Sequence, residues 1–234
     1  MNIRLNYIVL TIAIGSIAVS CKKDNYDAPS SSFTGRVVYQ GETIQVEYDR
    51  VPFELYEYGF GKVGPINGTI TPEGSFSHLL FDGEYKFVIR AGQGPFLWPQ
   101  TGGKSDSITV SIKGNTVLDV EVEPYYMVRA PQFAHAAGKI NGSFKIEKII
   151  TDPSRGKDID KAALFINKTM IVSNDNNIGR TELSGATITD PNNINLQVTV
   201  PTLTPAQNYI FARIGVKAAG VEDWIFSPVQ KIQL

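Results

Sequence analysis

From Asn115 to Glu123 the side chains alternate strictly, with Leu118, Val120 and Val122 on one side and Asp119, Glu121 and Glu123 on the other. A period of two belongs to a strand with one face in a core and one in water. Ser107 to Ile112 repeats the device, setting Ile108, Val110 and Ile112 against Ser107, Thr109 and Ser111. Lys113-Gly114-Asn115 between the two runs reads as a hairpin connection. Tyr85, Phe87 and Ile89 make a third such face. No window of a dozen residues carries a 3.6-residue period, so the chain is expected to be all-β.

Further runs at Phe33 to Gln40, Pro52 to Tyr58, Ile66 to Ile70 and Ser75 to Ser77 bring the first half to about seven strands in about ninety residues, the density of a sandwich. The second half has comparable runs at Ser143 to Ile150, Ala162 to Asn167, Ile194 to Val200, Tyr209 to Val216 and Trp224 to Leu234. The chain's 214 residues beyond the first twenty are twice the ~100 of an immunoglobulin-like sandwich, so two tandem β-sandwich domains are expected. The boundary falls near Tyr125, giving domains at 33–124 and 125–234.

The first twenty residues read as an export signal: one charge, Arg4, then a nearly continuous apolar run from Tyr7 to Ile14, then small residues at Ser16, Ala18 and Ser20. That run is shorter than the ~20 apolar residues a spanning helix needs. Ala18-Val19-Ser20-Cys21 resembles the lipobox of bacterial lipoproteins, which implies cleavage before Cys21 and acylation of it. Cys21 is the only cysteine, so no disulfide can form within the chain. Acylation would spend its thiol on a membrane anchor. Residues 21–32 then form a polar tether, whose Lys22-Lys23-Asp24 is similar to the signals that send lipoproteins to the outer face of the outer membrane. A plain solvated linker is the alternative there.

Several short stretches together carry a family likeness: Asn25-Tyr26-Asp27-Ala28-Pro29, Thr34-Gly35-Arg36-Val37, Gly74-Ser75-Phe76, Leu80-Phe81-Asp82-Gly83-Glu84-Tyr85, Gly94-Pro95-Phe96 and Val122-Glu123-Pro124-Tyr125. They resemble the two-domain lipoproteins of domain of unknown function 3823, found in glycan-utilisation loci of Bacteroidetes. The resemblance implies a transthyretin-like or carboxypeptidase-regulatory-like first sandwich and an immunoglobulin- or fibronectin-like second one. It implies a setting at the outer membrane and no particular reaction.

Chemistry-bearing patterns are few. With 22 Lys+Arg against 23 Asp+Glu there is no basic excess, so nucleic acid is not an expected partner. Two histidines, His78 and His135, fall in different domains, and no Gly-x-Ser-x-Gly elbow accompanies them. Neither a catalytic triad nor a multi-His metal site is expected, and no cofactor is implied. Gly59-Phe60-Gly61-Lys62-Val63-Gly64 satisfies a dinucleotide fingerprint formally. Pro65 and another short strand follow it where a helix should, so the glycines read as a loop. Asp119, Glu121 and Glu123 read as a solvent face. Asp152, Asp158, Asp160 and Asn174 to Asn177 carry oxygens that calcium could use, but Ile178 interrupts the loop pattern and a turn is the better reading. Asp106-Ser107-Ile108 is similar to a short O-glycosylation site of Bacteroidetes.

The candidate site is a Gly/Pro-rich connection, "GQGPFLWPQTGGK", residues 92–104. Phe96 and Trp98 have no periodic reason there to point inward, and exposed rings stack on sugar faces. Gln93, Gln100 and Lys104 would add hydrogen bonds. The competing reading is that Phe96 or Trp98 folds back to cap the sandwich or packs against the second domain, and the usual burial of Trp favours it. The expectation is therefore a non-enzymatic, surface-facing outer-membrane lipoprotein, anchored in lipid through Cys21, that serves glycan binding or uptake. The alternative is a structural or protein-interaction subunit of an outer-membrane uptake complex, with no glycan contact of its own.

Overall fold

A computed structural model describes residues 27–59 and 64–234. The signal, Cys21, most of the tether and residues 60–63 of the glycine-rich loop lie outside it. The first domain contains β1 (Ser31–Tyr39), β2 (Glu42–Thr43), β3 (Pro52–Glu57), β4 (Pro65–Thr69), β5 (Ser75–Leu80) and β6 (Gly83–Val88). Three two-residue strands follow, β7 (Phe96–Leu97), β8 (Gln100–Thr101) and β9 (Lys104–Ser105), then β10 (Ile108–Ile112), β11 (Asn115–Glu121) and β12 (Glu123–Pro124). One sheet sets β1 between β11 on one side and β5 and β2 on the other; the second has the order β10-β6-β3-β4.

Between these sheets, Phe87 lies 4.9 Å from Phe53, 5.3 Å from Phe76 and 6.3 Å from Phe33, ring centre to ring centre. All four rings are buried, supplied by the inward positions of β1, β3, β5 and β6. Gly35 is obligatory in this packing: a Cβ there would stand 1.9 Å from the Leu118 carbonyl oxygen and 2.4 Å from Phe76 Cζ.

The expected hairpin at Lys113-Gly114-Asn115 is not one. β10 pairs antiparallel with β6, while β11 crosses to the other sheet and runs parallel to β1. Alternation records which side of a strand is buried, but both inner faces of a sandwich look alike from the sequence. Gly114, at φ +60°, lets the chain turn sharply from one sheet into the other.

His78 on β5 is half-buried with its ring edge-on to Phe53 at 5.3 Å, and burial pushes its pKa below 6.5. A base whose folded pKa is depressed supports the fold above its unfolded pKa, and that support is lost as pH falls from about 6.5 through the lower folded value. Unfolding midpoints measured between pH 8 and 5 should therefore fall toward acid in the wild type. The dependence should flatten in His78→Leu.

The second domain contains β13 (Tyr126–Ala136), β14 (Lys139–Lys148), β15 (Ile159–Asn167) and β16 (Gly179–Ser184). A 3-10 turn at Gly185–Thr187 leads to β17 (Ile194–Thr199), β18 (Tyr209–Ala218), β19 (Trp224–Phe226) and β20 (Gln230–Gln233). The three-stranded sheet β13-β14-β17 faces a sheet ordered β16-β15-β18, with β19 and β20 both on the far side of β18. A three-stranded sheet against a five-stranded one is the plan of a β-sandwich. β13 and β16 escape sequence reading because their alternation is masked: β13 is an edge strand whose second half is largely exposed, and its register slips between Arg129 and Gln132.

Of the oxygen-rich segments, Asp152 and Asn174 to Asn177 lie in turns, whereas Asp158 leads directly into β15 and Asp160 is on it. Asp152 Oδ1 accepts from the Ser154 amide and hydroxyl, both at 2.8 Å, and Asn177 Nδ2 donates to the Asn174 carbonyl at 2.8 Å. Among the described residues no three His, Cys, Asp or Glu side chains gather as a metal site.

Candidate functional site

The two sandwiches share an apolar seam, and a charged group is buried in it. Arg213 on β18 is 2% exposed. Its Nε donates to Ser227 O at 2.8 Å within its own domain, while Nη2 reaches Pro72 O at 2.8 Å and Nη1 reaches Val46 O at 3.1 Å in the first domain. The guanidinium also lies 4.4 Å from the centre of the Phe226 ring. Burial pulls its pKa down to about 10, against the opposing fields of Glu73 and Glu47, which leaves it cationic at neutral pH. Backbone joins the domains as well: the Phe226 amide donates to Gln45 O at 3.0 Å, and the Asp175 amide donates to Glu47 Oε1 at 2.9 Å. Arg50 pairs with Asp175 across the same seam.

Two clefts open along this junction. The first, about 530 Å³, is lined by Asp49, Arg50 and Asn67 of the first domain and by Glu222 and Asp223 of the second. Asp223 is only 4% exposed, and one of its oxygens accepts from the Gly94 amide at 2.7 Å. Burial raises its pKa above the ordinary Asp value despite that hydrogen bond.

The second cleft is larger, about 800 Å³, and mixes aromatic with polar groups. Tyr39, Trp98 and Tyr125 supply the rings. Gln100, Glu121, Glu123, Arg155 and Lys157 supply the polar side chains. Tyr125 sits where the domains meet: its amide donates to Pro95 O at 3.2 Å and its carbonyl accepts from the Ile149 amide at 3.1 Å. Burial raises its phenol pKa. Glu123 and Arg155 pair across the junction, and Glu121 Oε1 accepts from the Gln40 amide at 2.6 Å.

The structure scatters the residues expected to form one loop site. Phe96 is 2% exposed and Trp98 5% exposed, so neither is an open stacking platform. Phe96 is held inward by the pairing of β7 with β12. The Trp98 ring lies 6.0 Å from Phe87 while its Nε1 donates to Asp106 O at 2.8 Å, which satisfies the one polar atom that could resist burial. The first domain therefore uses both rings to close its core. Gln93 lines the first cleft and Gln100 the second, so they cannot serve one small ligand together. Lys104 is exposed on β9 and belongs to neither. Trp224, the other tryptophan, packs edge-on to Phe165 at 5.4 Å and is buried too. Tryptophan emission should consequently be blue-shifted and nearly insensitive to acrylamide; strong quenching in the folded protein would contradict this placement of Trp98.

Tyr39, Tyr125, Arg155 and Lys157 were not legible as site residues, because they come from separate segments that only the domain docking brings together. His78 is partly core on β5 of the first domain and His135 is exposed on β13 of the second.

Two all-β sandwiches locked through a buried arginine, with polar clefts along their junction, define a two-domain β-sandwich protein. The chain belongs to the DUF3823 family: residues 31–123 match the model described as protein of unknown function (DUF3823) N-terminal domain, and residues 126–231 match DUF3823_C, domain of unknown function. Solved structures agree. A DUF3823 family protein from Parabacteroides merdae is 34% identical with a TM-score of 0.76, and one from Bacteroides ovatus is 27% identical with a TM-score of 0.76. Each alignment covers 88% of this chain and 100% of the other. A Bacteroides uniformis protein described as "a putative carbohydrate binding protein" shares the fold at 18% identity and a TM-score of 0.68, with the same coverage of 88% and 100%. No curated protein matches the chain.

Proposed function

We propose that the protein is a lipid-anchored outer-membrane protein, facing the cell exterior, that binds glycan in the aromatic cleft at its domain junction and carries out no reaction on it. The carrying observation is the composition of that cleft: the half-buried Tyr39, with the largely buried Tyr125 and Trp98, lined also by Gln100, Glu121, Glu123, Arg155 and Lys157. Apolar ring surface suits the C–H face of a sugar, and amide, guanidinium and ammonium groups suit its hydroxyls. The B. uniformis fold relative, by its description, supports a glycan-related role. The lipobox at Cys21 supplies the anchor in this reading.

The test is native affinity electrophoresis of the mature chain through gels containing plant, host and microbial polysaccharides. Gln100→Ala combined with Lys157→Ala changes two exposed rim side chains and should abolish retardation without altering the unfolding curve. Trp98→Ala is unsuited to this purpose because it opens the core. Retardation that survives the rim variant would contradict the cleft, and release of reducing ends would contradict a purely binding role.

The alternative, a protein-contact subunit of an uptake complex, is favoured by a different surface. Leu79, Phe81 and Val117 are exposed near the start of β1, and register places Leu79 beside Ser32 and Val117 beside Thr34. Failure of every glycan to retard the protein would turn the account toward that face.

A further inference from the structure

We infer that the outward face of the β13-β14-β17 sheet is a second saccharide site, separate from the junction and suited to an uncharged, hydroxyl-rich chain lying across the strands. The inference rests on the glycan-binding reading above. Register aligns two rows of outward side chains across the three strands: Gln132, Ser143 and Asn195 in one, Ala134, Asn141 and Gln197 in the next. The row between them, Phe133, Gly142 and Leu196, turns the other way. Phe133 and Leu196 join the core, and a Cβ on Gly142 would point at Leu164. Backbone thus floors a groove of about 340 Å³ between two polar walls. With strands spaced about 4.8 Å apart, the walls run roughly 10 Å. The register slip between Arg129 and Gln132 bends β13, the kind of irregularity that cups a sheet and re-aims its side chains.

The chemistry of the walls distinguishes this face from an ordinary solvated one. Elsewhere exposed strands carry cross-strand ion pairs, Arg36 with Asp119 across β1 and β11 and Lys161 with Glu182 across β15 and β16. The groove has no charged lining residue. Asn195 Nδ2 donates to Asn193 Oδ1 at 3.0 Å, which orients it and leaves its own carbonyl oxygen available. Among the described residues, the side chains of Gln132, Asn141, Ser143 and Gln197 make no hydrogen bond within the protein; the Thr181 hydroxyl on β16 donates to the Gln197 backbone carbonyl, not to its side chain. Primary amides donate and accept at once, as sugar hydroxyls do, so convergent unengaged amides favour an uncharged polyol over an ion. Lys139 and Lys145 stand in the rows beyond on either side, which makes a polyanion the competing ligand to be tested.

The experiment follows the side-chain NH2 resonances of Gln132, Asn141 and Gln197 in the mature chain by NMR. Manno-, xylo- and malto-oligosaccharides are titrated in, with a polyuronate beside them. Saturable shifts with at least one uncharged oligosaccharide are expected. Asn141→Ala with Gln197→Ala should weaken that binding at least about tenfold at unchanged stability. Gln100→Ala with Lys157→Ala should leave the groove shifts intact. If only junction resonances move, the second site is wrong and the proposed function stands; if none move with any saccharide, both fall. A groove that answers only to polyuronate overturns the uncharged class, and shifts that persist unchanged in the amide variant overturn the location.

Discussion

Arg213→Ala should lower the free energy of unfolding by about 3–5 kcal/mol, as removing one partner from a buried charged network does. The side chain is the common donor to carbonyls of both domains, Val46 and Pro72 in one and Ser227 in the other. Removing it strands those acceptors in a seam that water does not reach, at about 1–3 kcal/mol for each buried group left unpaired, while relieving the desolvation of the cation itself. The first effect wins because several acceptors are stranded for one charge removed. Lysine should rescue little, since a single ammonium cannot reproduce the planar fork that reaches three directions. Chemical denaturation checks this. The wild type should unfold in one transition, and the variant should unfold at lower denaturant with the domains separating. A shift under about 1 kcal/mol would mean that apolar contact alone joins the domains.

Phe87→Ala should cost a similar amount, about 3–5 kcal/mol, by a different route. Phe87 is buried at the centre of the first sandwich, against Phe33, Phe53, Phe76 and Trp98, so truncation leaves a cavity lined by rings anchored in several strands. Rings fixed on different strands collapse poorly into such a space. Phe87→Leu keeps most of the volume and should lose much less. The two substitutions separate by where the damage lies: Phe87→Ala loosens the first domain around Trp98, whereas Arg213→Ala loosens the seam and leaves each core intact. Trp98 emission should redden in the first variant before global unfolding and stay blue in the second.

The amount of structure legible in the chain follows the range of the forces involved. Alternation at Asn115 to Glu123 or Ile194 to Val200 reveals a half-buried strand because the pleat is local. Partner choice is not local, which is why Lys113-Gly114 read as a hairpin and instead carries the chain between sheets. Edge strands such as β13 bury only part of their length, so little pattern remains to read. At the site, the connection from Gln93 to Lys104 was visible through its glycines, prolines and rings, yet the destination of each side chain was not. Trp98 and Phe96 found the nearest unfilled core, a packing outcome that spacing cannot encode. Arg213, in the run Tyr209 to Val216, resembled any charged residue on a strand, and only the docked first domain shows why it is buried.

The most direct test of the account is a crystal structure of the mature chain with an oligosaccharide of whichever glycan retards it in affinity gels. The account predicts sugar in the junction cleft, one ring against Tyr39 and hydroxyls within hydrogen-bond distance of Gln100, Arg155 or Lys157. A saccharide bound away from that cleft, with the junction left empty, would contradict it.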